Sequence, residues 1–151
     1  MKMALLGGTG ATGLAVIEYA VTAGFAVTAL GRNAVKLSPR SSLQVMVGDV
    51  FDQRDLRAAI DGVDVVVSTL GMVKGSKDCV CSRAATALIP AMIDHGLTRL
   101  IALSAYGAGN TKRTLSVRLL RRILDADLDA TGDVERTNQA FTTFLTAIEN
   151  T

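Results

Sequence analysis

Gly7, Gly8, Gly10 and Gly13 follow the apolar run Met3 to Leu6, and Leu14 then opens a segment with helical spacing. The glycines read as Gly-x-Gly-x-x-Gly (8, 10, 13) or as Gly-x-x-Gly-x-x-Gly (7, 10, 13). Glycine takes positive φ without penalty and lets the backbone approach a ligand closely. The unpaired amides of a helix start carry partial positive charge, so such a turn can hold a pyrophosphate without a lysine. No Gly-Lys-Ser/Thr follows, which argues against a nucleotide-hydrolysing loop. The alternative is a purely structural turn, and the flanking elements must decide.

Three further positions carry candidate chemistry. Gly31 and Arg32 stand where dinucleotide sites specific for NAD place an Asp or Glu, about 20 residues beyond the glycines. A guanidinium can pair with a 2′-phosphate that a carboxylate would repel, so the site favours NADP(H) over NAD(H); the alternative is a solvated loop arginine. Asp49 can accept from an adenine amino group or serve as a turn aspartate. Ser104 is the polar side chain best placed for a substrate carbonyl or a nicotinamide, unless it is an ordinary strand-end cap.

The elements that position these residues alternate. Met3 to Leu6, Phe25 to Leu30, Leu43 to Val47, Asp64 to Leu70 and Leu97 to Ser104 read as strands. The helices between them start at Leu14 and stop at Gly24, run from an Asp52 cap with Asp55 in a variant capping box to Gly62, and run from Val80 to His95 before Gly96. Pro90 is expected to bend the last of these or mark an irregular turn, and His95 to serve its negative end. Met72 to Asp78 reads as a loop beside the cofactor, Leu115 to Leu124 as a helix, and Asp133 to Ile148 as a last helix. Arg113, Arg118, Arg121 and Arg122 give a solvated basic face or a partner surface.

Alternation of this kind implies an α/β fold: one Rossmann-like, doubly wound parallel sheet in the order 3-2-1-4-5 with helices on both faces. Ligands bind beyond the strand carboxyl ends where the order reverses, here between the first and fourth strands, so Leu70 and Gly71 would flank the cofactor.

At 151 residues the chain suits a single domain with a real core. Hydrophobic residues reach 49% with only 4% aromatics, which points to an aliphatic core of the kind parallel sheets build. Sixteen basic against 14 acidic residues leave +2, too little to imply nucleic acid or an anionic membrane as partner. No apolar run approaches the roughly 20 residues of a membrane span, and Met1 to Leu6 is too short for a signal-peptide core. A cytoplasmic protein with a small-molecule substrate is expected, as a monomer or weak homodimer. Cys79 and Cys81 make no disulfide framework and lack a second ligand pair for zinc, so no metal is expected.

Gly7-Gly8-Thr9-Gly10-Ala11-Thr12-Gly13, Gly31-Arg32, Gly48-Asp49-Val50 and the run from His95-Gly96 to Leu103-Ser104-Ala105-Tyr106, in this order, resemble the atypical short-chain dehydrogenase/reductases. The similarity is to the NmrA-like and biliverdin reductase B (NADPH-flavin reductase) group. It implies NADP(H) along residues 7–13, with Thr9, Ala11 and Thr12 in the phosphate turn and Arg32 near the 2′-phosphate. It further implies Asp49 and Val50 beside the adenine, Leu70 and Gly71 beside the ribose of the nicotinamide, and Ser104 near the nicotinamide. Hydride would then pass to a small planar acceptor such as a flavin, quinone or carbonyl compound. Two departures bear on this. The Tyr-x-x-x-Lys pair of typical members is missing, since Asn110 follows Tyr106 at that spacing, and Tyr106 is therefore not assigned to catalysis. Related proteins also continue past the helix matching Asp133 to Ile148, so residues 1–151 are expected to form the dinucleotide domain without a substrate-side segment. The alternative function is a noncatalytic NADP(H)-sensing regulator of NmrA type.

Overall fold

A computed structural model describes residues 1–33, 35–71 and 79–103. Five parallel strands, β1 (Lys2–Leu6), β2 (Ala26–Gly31), β3 (Leu43–Val47), β4 (Val65–Ser68) and β5 (Leu100–Ala102), form one sheet in the order β3-β2-β1-β4-β5. The expected strand order and fold class are therefore observed. The segments 72–78, 115–124 and 133–148, with Ser104 and Tyr106, lie outside the described residues.

Both faces of β1 are apolar because both are covered. Met3 and Leu5 join Ile17, Val27, Ala29, Val65 and Val67 under helix α1 (Ala11–Thr22). Ala4 and Leu6 join Leu56, Ile60, Ala84, Leu88 and Met92 under α2 (Gln53–Ile60) and α3 (Val80–Asp94). Side chains alternate across a strand with a period of two, so one apolar run feeds both cores.

The helix boundaries follow local chemistry. Gly24 and Gly96 take φ of 80° and 65° just past α1 and α3, as left-handed stops do. The Nδ1 of His95 lies 2.8 Å from the Ala91 carbonyl, at the C-terminal end of α3 where it was expected. Asp52 caps α2, accepting from the Arg54 amide at 2.7 Å and the Asp55 amide at 3.3 Å. The second half of the capping box differs from expectation: the Asp55 carboxylate accepts from the Asp49 amide at 2.8 Å instead of returning to Asp52, whose own amide is used by the Asp49 carbonyl. α1 starts at Ala11, three residues before its apolar spacing begins, because Ala11 and Thr12 in its first turn are exposed and carry no core signal. Pro90 stands inside α3, where it and Thr86 are both exposed, so water can serve the Thr86 carbonyl that Pro90 cannot donate to.

Candidate functional site

The residues that end β2 and follow β4 lie against the glycine turn that follows β1, and the turn's geometry decides which glycines matter. Gly7 adopts φ 86°, and a Cβ there would lie 2.9 Å from the Thr69 carbonyl carbon. A Cβ on Gly13 would lie 2.3 Å from the Gly7 oxygen and 2.7 Å from the Gly8 Cα. Gly10 caps α1 with extended backbone, donates its amide to the Gly7 oxygen at 3.2 Å, and has room for a Cβ, whose nearest neighbour would be that oxygen at 3.6 Å. The steric demand therefore falls on Gly7 and Gly13, which only the 7, 10, 13 register contains together, and not on Gly10. Gly8 is buried, and a Cβ there would meet Ala29 and Ile17 at a tolerable 3.4 Å.

The first turn of α1 has no side-chain cap and no acidic residue. Amides at such a start have no intrahelical partner. An anion placed there meets donors and a positive dipole end, with no carboxylate in that turn to repel it. Ala11 and Thr12 are exposed, and Thr9 is half-buried.

Thr9 also reaches across to β2, its Cγ2 lying 3.9 Å from where a Gly31 Cβ would be. Arg32, next in sequence, is exposed and has no ion-pair partner among the described residues. The Gly48 amide donates to the Gly31 carbonyl at 3.2 Å, so the ends of β2 and β3 are laced together beside Arg32. Asp49 follows with its carboxylate accepting from the Phe51 amide at 3.0 Å, the turn role weighed above; this leaves its outer lone pairs to other donors. Val50 is 7% exposed and packs with Leu30 and Leu56, so it offers its backbone and not its side chain to a ligand.

On the other side of the switch point, Leu70 is half-buried, and a Cβ on Gly71 would meet nothing within 4 Å. The Cys81 thiol donates to the Leu70 carbonyl at 3.5 Å, tying the start of α3 to this edge. Leu6, Ser68, Leu70, Cys81, Leu88 and Ala102 line a small, mainly apolar cleft between the strand ends and α3. The Leu103 amide donates to the Ser68 carbonyl at 2.9 Å, which holds the end of β5 beside β4. Ser104 is the next residue and lies outside the described part.

One contributor, Thr69, was not singled out from the sequence, and another, Asp55, was expected only as part of the capping box. The Thr69 hydroxyl donates toward the Leu6 carbonyl at 3.1 Å and the Gly7 carbonyl at 3.2 Å, reaching the glycine turn from the residue just past β4. Asp55 fills the space beside Gly48, its Oδ2 2.7 Å from where a Cβ would be. The sequence reading placed Thr69 inside the strand Asp64 to Leu70, which gave its hydroxyl no separate role.

Over residues 7–146 the sequence matches the family described as NAD(P)H-binding. The chain belongs to that family. Among relatives of this NAD(P)H-binding chain, phenylcoumaran benzylic ether reductase TP7 of Nicotiana tabacum is 34% identical over 83 residues, covering 48% of this chain and 27% of the relative. The chain spans between about a quarter and two fifths of the length of the curated reductases and synthases it matches. A short-chain dehydrogenase/reductase from Veillonella parvula superposes with a TM-score of 0.75 at 14% identity, covering 93% of this chain and 62% of the other. ChuY, an anaerobillin reductase from Escherichia coli O157:H7, superposes with a TM-score of 0.69 at 21% identity over 92% of this chain and 67% of its own. At these identities the structures speak for the fold, and the expected Rossmann-like fold with strand order 3-2-1-4-5 is borne out. Among the described residues no helix is long and apolar enough to cross a membrane, and no three His, Cys, Asp or Glu side chains gather to hold a metal.

Proposed function

We propose that the chain binds NADP(H) across the carboxyl ends of its sheet and reduces a small planar or carbonyl acceptor, such as a flavin or quinone. The observation that carries this reading is the uncapped, acid-free start of α1, seated by Gly13 against the Gly7 carbonyl. Residues 7–13 would hold the pyrophosphate, with Gly7, Gly10 and Gly13 shaping the turn and Thr9, Ala11 and Thr12 adding donors. Arg32 would pair with the 2′-phosphate, which supports NADP(H) over NAD(H), and Asp49 with the backbone of Val50 would border the adenine. Leu70 and Gly71 would lie along the nicotinamide ribose.

When bound, the dinucleotide supplies the hydride. The chain's own contribution is orientation and the exclusion of water at the apolar edge formed by Leu6 and Leu70. Ser104 is proposed to donate a hydrogen bond to the acceptor or the carboxamide at the reacting end. The names of the relatives in plants and bacteria, which are reductases, support hydride transfer as the reaction class. The protein is read as cytoplasmic, in keeping with a reduced dinucleotide pool.

The test is NADPH oxidation, followed by loss of its near-ultraviolet absorbance with FMN, riboflavin and small quinones, beside calorimetric titration of NADPH and NADH. Turnover that falls in Ser104→Ala while NADPH affinity is kept supports the reductase. Tight binding without turnover would replace it with the sensing regulator. Binding of neither dinucleotide would end both readings.

A further inference from the structure

The Gly7 carbonyl is the point on which the phosphate turn closes. It accepts the Gly10 amide at 3.2 Å, and α1 is packed so closely behind it that Gly13 has no room for a Cβ. From the other side the Thr69 hydroxyl lies 3.2 Å from the same oxygen and 3.1 Å from the Leu6 oxygen. The Thr69 amide donates to the Leu6 oxygen at 2.9 Å, and the Thr69 carbonyl carbon would lie 2.9 Å from a Gly7 Cβ. Backbone and side chain of the one residue that follows β4 thus grip the two peptides with which β1 enters the turn.

A hydroxyl has a single proton to give, and here two carbonyls in succession share it. Each peptide is planar, so fixing the direction of a carbonyl also fixes the amide that follows it. Gly7, at φ 86°, and Gly8 carry no side chain to hold these planes. We infer that Thr69 is a positioning residue for dinucleotide binding: its hydroxyl sets the orientation of the Leu6 and Gly7 peptides, and through them the aim of the turn's amides at a pyrophosphate. The inference rests on the proposed dinucleotide site. It assigns Thr69 no contact with the ligand and no part in choosing between NADPH and NADH, which share the pyrophosphate.

Thr69→Val keeps the branched shape and removes the hydroxyl, Thr69→Ala removes it with less bulk in case the valine variant does not fold, and Thr69→Ser keeps the hydroxyl. Affinities of NADPH and NADH are measured by calorimetry on the whole chain. Displacement by adenosine 2′-monophosphate, which has no 5′-phosphate, reports on the adenosine end alone. The expected result is that Val and Ala weaken both dinucleotides equally, by about three- to ten-fold, as loss of one hydrogen bond predicts. Ser should stay within about two-fold of the parent, and the 2′-monophosphate should not move. Wild-type affinity in Thr69→Val, an equal loss in Thr69→Ser, or a parallel loss for the 2′-monophosphate would each overturn the positioning role while leaving the site itself standing. A parent chain that binds neither dinucleotide would overturn the proposed site, and this inference with it.

Discussion

Replacing Gly13 by alanine tests whether α1 is seated on the glycine turn as described. The new Cβ would lie 2.3 Å from the Gly7 oxygen, 2.7 Å from the Gly8 Cα and 3.0 Å from the Gly7 carbonyl carbon. All three are backbone atoms, so no rotamer change can relieve the contact. The closest is about 1 Å short of the 3.4 Å at which ordinary contact begins. α1 must therefore shift outward, yet Ile17 on the same face is 1% exposed in a closed core. Overpacking of this kind costs about 1–3 kcal/mol, and a clash of backbone with backbone belongs at the upper end. Alanine returns up to about 1 kcal/mol of helix propensity, leaving a net loss of about 2 kcal/mol. For a chain of this size that is a fall in Tm of roughly 4–8 °C. Gly10→Ala is the control. Its Cβ would come no nearer than 3.6 Å to its neighbour, and its φ of −78° suits any residue, so it should lose under about 1 kcal/mol, the cost of a poorer cap. On the proposed reading that methyl faces the pyrophosphate, and Gly10→Ala should lose NADPH affinity while keeping its fold. Urea midpoints at unchanged m separate the two variants. A Gly13→Ala protein as stable as its parent would refute the close seating of α1.

Arg32→Ala should weaken NADPH by about ten-fold or more and leave NADH nearly unchanged, the loss expected of a charge-assisted hydrogen bond; calorimetry with both dinucleotides checks it, and equal losses would remove the argument for NADP(H). Asp52→Ala removes the acceptor for two amides at the start of α2 and should cost about 1 kcal/mol by urea titration, with Asp52→Asn recovering most of it. Asp55→Ala strands the half-buried Asp49 amide and should cost about 1–3 kcal/mol, with faster hydrogen exchange at Asp49 than elsewhere in the turn; unchanged exchange there would argue against the Asp55 contact.

Local signals made much of this molecule legible in the sequence. Alternating apolar runs gave the strand order, and the Asp52 cap with the glycines at 24 and 96 marked real helix ends. Strand lengths were less legible. β5 covers only Leu100–Ala102 of the apolar run from Leu97 to Ser104, because parallel pairing with β4 extends only over Val66, Val67 and Ser68. Asp55 was legible as a helix-start acid but not as the partner of Asp49, since that choice depends on how the β3–α2 turn folds back. The Thr69 hydroxyl was out of reach for a sharper reason: its acceptors lie 63 and 62 residues earlier, and no local pattern encodes which strand end will lie beside which turn. The strand order was therefore easier to read than the hydroxyl contact that joins one strand end to its neighbour's turn.

The placement of β1 between β2 and β4 has a consequence for the order in which the protein assembles. β1 is synthesised before both of its neighbours. Met3 finds its partner Val27 early, while its other partner, Val65, is 62 residues away. A nascent chain that has released β1, α1, β2 and β3 can form three of the five strands of the sheet, but one edge of β1 stays bare, with unpaired amides and carbonyls beside the glycine turn. Closure waits until β4 leaves the ribosome, and such distant pairing is the slow part of folding a parallel sheet. Truncations ending before residue 65 should pulse-label rapidly at the β1 amides that β4 would otherwise cover.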